Sequence, residues 1–278
     1  MPPAPAPQQM PDRQPIPGIK NLVAVASGKG GVGKTTVAVN LALALAKLGH
    51  KVGLIDADVY GPNVPIMLGT SQEPLATADR RIIPVEVSRL KMISMGLLNP
   101  GDKPMIWRGP MLHGVITQFL RSVEWGQLDY LLVDLPPGTG DVQLTLIQTT
   151  PLTGAVVVTT PSDVALEDAR KAVNMFEQVR EDVLGIVENM SYLEHNGEKL
   201  YIFGKGGGAR TAEKMHVPLL AEIPLDPETR AGGDAGQPIA TRPETAQAAV
   251  FEKLAHTIIE RADAATKQKQ RPTITVSD

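Results

Sequence analysis

The 278-residue sequence lacks cysteine altogether. Disulfides, thiolate nucleophiles and zinc or iron–sulfur clusters ligated by cysteines of this chain are therefore excluded. A strong charge bias is also missing, because the net charge is −3 with acidic and basic residues intermixed, so nothing favours a nucleic-acid partner. Apolar runs of membrane-span length are absent from the sequence, and residues 1–18 lack the apolar stretch of a signal peptide. We expect a cytoplasmic protein without membrane contacts.

Hydrophobic residues make up 42% of the sequence, which is enough for one substantial core. We expect one α/β domain over residues 19–263. Residues 1–18 hold seven prolines and are predicted to form a disordered or polyproline-like lead-in, for which a linker is favoured over a partner-binding segment. The polar residues 264–278 are predicted to be a disordered tail, without the amphipathic face of a membrane-targeting helix.

Residues 27–36 read SGKGGVGKTT, in which Gly28 to Thr35 fit the phosphate-loop pattern G-x-x-x-x-G-K-[ST]. Glycines let backbone N–H groups approach phosphate oxygens, and the following helix adds its positive end. Lys34 is expected to contact the β/γ-phosphates and Thr35 to ligate Mg²⁺. The alternative, a glycine-rich turn, is disfavoured because strand, loop and helix follow in the required order. The predicted nucleotide-binding residues of the loop are Gly28, Lys29, Gly30, Gly31, Val32, Gly33, Lys34, Thr35 and Thr36.

Apolar periodicity predicts the elements around this loop. Strands are predicted over residues 22–26, 51–55, 129–134, 155–160, 184–187 and 217–223, helices over residues 34–48, 163–183 and 243–261, and hairpins within residues 82–98 and around Asn196-Gly197. The apolar strands are typical of a parallel sheet that is covered on both faces.

Three aspartates follow predicted strands. Asp56 and Asp58 are placed to hold Mg²⁺ through water and to orient the attacking water, although two aspartates capping a turn are the alternative. Asp134 closes an apolar strand, which is the Walker B arrangement that supports the Mg²⁺ shell. The next residues, Pro-Pro-Gly-Thr-Gly, are a candidate switch segment that changes path when the γ-phosphate is lost.

Two later segments also have nucleotide-site features. Asn189 follows a strand and has the amide donor and acceptor that pair with a base edge, with a turn asparagine as the alternative. The run Ile202 to Gly208 looks like a second phosphate loop without the Gly-Lys-Thr ending. We favour helix entry without a ligand there.

These motifs together resemble the Mrp/ApbC family of ATP-binding iron–sulfur cluster carriers, from Asn21 to Arg261. The similar segments are SGKGGVGKTT (27–36), DADVYGPN (56–63), WRGPM (107–111), DLPPGTGD (134–141), GIVENMSY (185–192), IFGKGGG (202–208) and IPLDP (223–227). The resemblance implies an α/β P-loop NTPase with a mostly parallel sheet of about seven or eight strands and helices on both faces. It also implies ATP and Mg²⁺ as ligands, a homodimer, and client apoproteins that receive a cluster.

The resemblance further implies individual roles. Lys29 resembles the additional lysine of the deviant Walker A loop shared with MinD and ParA, which reaches the partner's nucleotide. A solvated loop lysine is the alternative. Lys29, Lys34 and Asp58 are the implied catalytic residues, and Thr35, Asp56 and Asp134 the expected metal-site residues. Asn189, Pro224 and Asp226 are implied to hold adenine.

The sequence departs from the family at the cluster site. Many members carry C-x-x-C after the Asn-Met-Ser-Tyr segment, whereas this chain has Leu193 to Gly197, and His195 falls near the first cysteine's place. We favour an exposed turn histidine over a cluster ligand. The leading hypothesis is an ATPase in iron–sulfur cluster assembly that lacks thiolate ligands of its own. Alternatives are a metal-free ATP-dependent adaptor or maturation factor and, disfavoured by charge and tail, a ParA- or MinD-like positioning ATPase.

Overall fold

A computed structural model of the chain describes residues 13–58, 61–98 and 109–269. Their strands are β1 (Ile19–Ala26), β2 (Val52–Asp56), β3 (Leu75–Ala76), β4 (Ile82–Ile83), β5 (Val85–Val87), β6 (Leu90–Ser94), β7 (Leu128–Asp134), β8 (Gly154–Thr159), β9 (Val183–Asn189), β10 (Leu193–His195), β11 (Glu198–Leu200) and β12 (Leu219–Ile223). Their α-helices are α1 (Lys34–Lys47), α2 (Val64–Met67), α3 (Met95–Leu98), α4 (Gly109–Arg121), α5 (Asp141–Thr149), α6 (Asp163–Gln178), α7 (Gly207–Lys214), α8 (Pro227–Asp234) and α9 (Ala246–Lys269).

Within the described residues, eight strands form one sheet in the order β12-β9-β8-β1-β7-β2-β6-β5. Neighbouring strands are parallel except β5, which pairs antiparallel with β6. Parallel strands bring their carboxyl ends to one edge of the sheet, so the loops after β1, β2, β7 and β9 lie near one another. The predicted mostly parallel sheet of the α/β class is confirmed.

Helices cover both faces of this sheet. The side chains of Val23 and Val25 in β1 join the core formed with α1 and α9, whereas Ala24 and Ala26 join the core formed with α4 and α5. This alternation follows from the two-residue period of a strand. A strand buried on both sides needs apolar residues throughout, which explains the continuous apolar run that precedes the phosphate loop.

The predicted hairpins are present, as β5 with β6 and as β10 with β11. Two predicted helix ends are wrong. The helix expected to reach residue 183 ends at Gln178, because Arg180 adopts a left-handed backbone (φ 60°) and the chain turns back into β9. The helix expected to end near Arg261 continues to Lys269, because Ala262 is fully buried against the core. No helix in the described residues is both long and apolar enough to cross a bilayer.

The two ends of the described chain meet at one buried carboxylate. The side chain of Glu181 is 2% exposed and pairs with Arg13 Nη1, while Lys269 Nζ lies 3.7 Å from its Oε2. Ile16 is buried in the core beneath α4 and α5. Packed structure therefore includes residues 13–18 and 264–269, which the sequence assigned to a disordered lead-in and tail. Residues 1–12 and 270–278 of those segments lie outside the described residues.

We predict that Arg13→Ala lowers the free energy of unfolding by about 1–3 kcal/mol, because it removes a hydrogen-bonded partner from a buried carboxylate. Burial already raises the pKa of Glu181, against the opposing effect of Lys269 and Arg13. Urea unfolding followed by circular dichroism measures the change. Lys253→Ala, at an exposed position of α9, is the control and should leave the unfolding curve unchanged. Equal unfolding curves for Arg13→Ala and the wild type would contradict a stabilising role of the pair between Arg13 and Glu181.

Candidate functional site

The phosphate loop lies between the carboxyl end of β1 and the start of α1. Gly31 and Gly33 both have a φ of 80°, a left-handed backbone that favours glycine. A Cβ on Gly33 would lie 2.2 Å from Nδ2 of Asn189, so this position also has no room for a side chain. No described side chain caps the N-terminus of α1, which leaves its amides directed at the cleft for an anion.

Lys34, Thr35 and Asp134 form a hydrogen-bonded group at the head of this loop. Lys34 Nζ lies 2.7 Å from Oδ1 of Asp134, and the Thr35 hydroxyl donates to Oδ2 of the same carboxylate at 2.7 Å. Asp134 is fully buried at the end of β7, next to β1, and Lys34 is 6% exposed. Burial raises the pKa of Asp134, while the charge and hydrogen bond of Lys34 act in the opposite direction. The sequence-predicted Walker B aspartate therefore lies against the phosphate-loop lysine.

Asp56 and Asp58 occupy different environments although they are two residues apart. Asp56 lies opposite Asp134 in the pairing of β2 with β7, is fully buried, and accepts hydrogen bonds from Ser94 Oγ at 2.8 Å and from the Val64 amide at 3.2 Å. Burial, and then the charge of Asp134, raise the pKa of Asp56 to about 7. Asp58, in contrast, lines the cleft.

A cleft of about 620 Å³ opens beside the phosphate loop. On the side away from β7, Asn189 is 6% exposed and donates from Nδ2 to the Val32 carbonyl at 2.9 Å. The predicted site residues that line the cleft are Lys29, Gly30, Gly31, Val32, Gly33, Lys34, Thr35, Thr36, Asp58, Asn189, Pro224 and Asp226. Those outside the lining are Gly28, Asp56 and Asp134. Gly28 instead packs against α6, where a Cβ would lie 2.0 Å from the carbonyl oxygen of Asp168.

One wall of the cleft was missed by the sequence analysis. Helix α8 contributes Thr229, Arg230 and other residues to the lining. Asp226 begins this helix as its N-cap, since its carboxylate accepts from the amide of Thr229 at 2.8 Å and from its hydroxyl at 2.7 Å. An aspartate followed by proline is a helix-start signal that was present in the sequence. Val59, Tyr60, Trp107 and Arg108 of the family-like segments lie outside the described residues.

The second glycine-rich run, residues 202–208, packs around the buried side chain of Glu188. The Gly208 amide donates to the buried carboxylate of Glu188 at the start of α7, and a Cβ on Gly207 would lie 2.5 Å from Leu166 Cδ1. The glycines therefore allow close packing around Glu188. The predicted helix entry is present, because α7 begins at Gly207.

His195 lies at the tip of the β10–β11 hairpin. Asn196 and Gly197 form its turn with φ values of 51° and 79°, and the exposed His195 ring lies with Nε2 3.2 Å from Asn196 Nδ2. Across residues 13–58, 61–98 and 109–269, no three His, Asp or Glu side chains are grouped so as to hold a metal ion. The predicted exposed turn histidine is thus found in the structure.

Comparison with known proteins identifies the family. A family model described as ParA, NUBPL iron-transfer P-loop NTPase, matches residues 18–259. The chain belongs to this family. Its Mrp/ApbC resemblance is confirmed, and the chain is a nucleotide-binding P-loop NTPase of the ParA/NUBPL family.

Curated relatives of this ParA/NUBPL protein share about half of its residues. The iron-sulfur cluster carrier protein of Synechocystis is 52% identical over 265 residues, 92% of this chain and 75% of that protein. The iron-sulfur cluster carrier protein of Aquifex aeolicus is 54% identical over 254 residues, 89% of this chain and 70% of that protein. An Arabidopsis thaliana protein, named as the mitochondrial iron-sulfur protein required for NADH dehydrogenase, is 49% identical and covers 87% of this chain and 79% of its own length.

Solved structures of similar proteins share the fold of this ParA/NUBPL protein. The nucleotide-binding protein of Archaeoglobus fulgidus in complex with ADP has a TM-score of 0.71 at 39% identity, covering 84% of this chain and 93% of that chain. The cell division ATPase MinD of Pyrococcus furiosus has a TM-score of 0.66 at 26% identity, covering 87% and 99%.

We predict that the nucleotide-free protein loses stability as pH rises from about 4 through 7, because of Asp56. A carboxyl with a raised folded-state pKa binds its proton more tightly in the folded than in the unfolded chain, so its contribution is complete below the ordinary pKa of 3.8 and declines through about pH 7. At about 1.4 kcal/mol per pKa unit, this decline is on the order of 4 kcal/mol.

Asp56→Asn retains an acceptor for Ser94 and Val64 but cannot ionise. The free energy of unfolding of this variant should therefore change less between about pH 4 and pH 7 than that of the wild type. Urea unfolding at a series of pH values, without nucleotide or divalent cation, provides the measurement. Asp79→Asn, at an exposed position, is the control. The same slope in Asp56→Asn and the wild type would refute the assignment.

Proposed function

We propose that the chain is a Mg²⁺-dependent ATPase that dimerises around ATP and acts in iron–sulfur cluster assembly or transfer. The observation that carries this proposal is the group formed by Lys34, Thr35 and Asp134 beneath a glycine-lined cleft. This group combines a cation, a hydroxyl and a carboxylate, which are the groups that enzymes of phosphoryl transfer use.

We propose separate roles in phosphate binding, metal binding and water activation for the residues at the cleft. The loop amides and Lys34 bind the phosphate oxygens, with the Lys34 ammonium leaving Asp134 for the more negative triphosphate. The oxygen atoms of Thr35 and Asp134 fit Mg²⁺, which prefers oxygen ligands. Asp56, opposite Asp134 in the sheet, is a further carboxyl group at this site. Bound Mg²⁺ supplies charge neutralisation at the β/γ-phosphates. Asp58 lines the cleft and orients the attacking water.

Lys29 is proposed to act across a homodimer. Its side chain is half-buried at the cleft and forms no ion pair within the described part of the chain, unlike Lys34. A lysine supplied by the second copy stabilises the charge of the transition state in the manner of an arginine finger. Hydrolysis would then depend on dimerisation.

Adenine is proposed to lie between Asn189 and the segment that contains Pro224 and Asp226. The Nδ2 atom of Asn189 donates a hydrogen bond to the Val32 carbonyl. The side-chain oxygen of Asn189 is therefore proposed to accept from the exocyclic amine of the base. Asp226 acts mainly as the cap of α8, and Gln247 Nε2 fixes the Pro224 carbonyl at 2.9 Å.

The cluster is proposed to be a cargo that client apoproteins or partners ligate. Relatives at about half identity are named iron-sulfur cluster carrier proteins, yet this chain has no cysteine and His195 is a single exposed imidazole. Four ligands, usually thiolates, hold such a cluster, so this chain's residues do not fit one. The same observation favours a second candidate, an ATP-dependent adaptor that binds clients without metal. For both candidate functions we propose that the protein acts in the cytoplasm.

We predict that the two loop lysines separate binding from hydrolysis. Lys34→Ala should weaken ADP binding by about 100-fold, since a buried charge-assisted contact is lost. Lys29→Ala should bind ADP like the wild type but lower kcat by about 1000-fold. Calorimetry and phosphate release measure the two effects, with Lys20→Ala at an exposed position as the control. Equal losses of ADP affinity in Lys29→Ala and Lys34→Ala would exclude the trans role.

We also predict that anaerobic incubation with ferrous iron and sulfide leaves no stoichiometric cluster on the isolated chain, because thiolate ligands are lacking. Iron analysis and visible absorption after gel filtration measure this, and His195→Ala should give the same result. A repeat with a cysteine-containing apo-acceptor distinguishes the two candidates. ATP-dependent cluster gain by the acceptor supports cluster transfer, whereas one cluster per dimer of this chain alone would disprove the prediction.

A further inference from the structure

The segment that follows β7 is held in one path by a buried glutamine of α5. Gln143 is 1% exposed, and its Nε2 donates to the carbonyl oxygens of Pro136 at 2.7 Å and Gly138 at 2.9 Å. A side-chain amide has two N–H donors, so one glutamine satisfies both carbonyls. Gln143 thus joins the first turn of α5 to residues 136–138 of the candidate switch segment, which spans residues 136–140.

The same segment also contacts the phosphate loop. The Gly138 amide donates to the carbonyl of Ser27 at 2.8 Å, immediately before the loop begins. Pro137 lines the cleft, and a Cβ on Gly30 would lie 3.9 Å from its ring. A shift of residues 136–138 therefore changes the wall of the cleft beside the phosphate loop.

The two sides of the Gln143 contact differ in how firmly they are held. Helix α5 is anchored by Val142, Leu146 and Ile147, which are all buried in the core. Gly138 has a left-handed φ of 96°, and a Cβ there would meet no atom within 4 Å. Space is therefore open beside Gly138, whereas Pro136 is buried, and Gln143 connects both residues to a helix that is packed into the core.

We infer that Gln143 is a positioning residue for ATP hydrolysis, acting through residues 136–138. This inference rests on the proposed function. Its two hydrogen bonds hold the segment against the phosphate loop in a path competent for hydrolysis, and they transmit a change of that path to α5. In the proposed function ADP is bound by the loop amides and Lys34, whereas the hydrogen bonds of Gln143 go to Pro136 and Gly138. The loss of Gln143 should therefore affect turnover and the response to the γ-phosphate far more than the binding of ADP.

The test compares Gln143→Met with Gln148→Met, which makes the same change at an exposed position of the same helix. Methionine keeps the length and burial of the side chain but removes both donors. We expect kcat of Gln143→Met to fall about tenfold, corresponding to about 1.4 kcal/mol, with the Kd for ADP unchanged and the affinity for a non-hydrolysable ATP analogue shifted relative to ADP. Gln148→Met should match the wild type.

Gln143→Glu, which keeps the size but replaces the donors with acceptors, takes the place of the methionine variant if that variant does not fold. The inference is overturned if a folded variant keeps the wild-type kcat, if ADP affinity and melting temperature fall together with kcat, or if neither variant folds, since the last two results indicate a purely structural role. A wild-type chain that neither binds nucleotide nor hydrolyses ATP would instead refute the proposed function and remove the basis of this inference.

Discussion

The buried ion pair between Lys34 and Asp134 is the interaction on which the site depends. Burial of two charges is stabilising only when geometry is good and the remaining hydrogen-bonding positions are filled. Here the second carboxylate oxygen is filled by Thr35. Asp56 lies beside this pair without a cation of its own among the described residues, and it responds with a raised pKa. The site thus has two buried carboxyl groups, Asp56 and Asp134, beside the buried Lys34. An added divalent cation would favour the ionised form of both carboxyl groups.

The scaffold and its use are separable in this molecule. A MinD structure at 26% identity shares the fold, and the ADP-bound Archaeoglobus protein shares it at 39%. Asp56, Asp134 and Asn189 end β2, β7 and β9, so they lie with the phosphate loop at the carboxyl edge of the sheet. Surface segments outside this edge, such as the β10–β11 hairpin, can vary without a change of fold. In this chain that hairpin has an exposed histidine, His195.

The sequence predicted the sheet and the phosphate loop because apolar periodicity and a glycine pattern are local signals. It did not predict which of Asp56 and Asp58 is buried, since the same residue type two positions apart becomes buried or cleft-facing only through tertiary packing. Gln143 was missed because its partners are backbone carbonyls whose positions depend on the path after β7. The early end of α6 was missed because Arg180 adopts a left-handed backbone at a position where the sequence has no glycine. Helix α8, in contrast, had a usable signal in Asp226 and the following proline that was not applied.

The position of β1 between β7 and β8 has a consequence for biosynthesis. The loop lysine and its carboxylate are 100 residues apart in the chain, and β1 acquires its second neighbour only when β8 has been made. A nascent polypeptide that has emerged only as far as α1 therefore has the whole glycine motif but neither of the strands that flank β1. We therefore expect the chain to bind nucleotide only late in translation. Cellular ATP cannot stabilise a folding intermediate until most of the domain has left the ribosome.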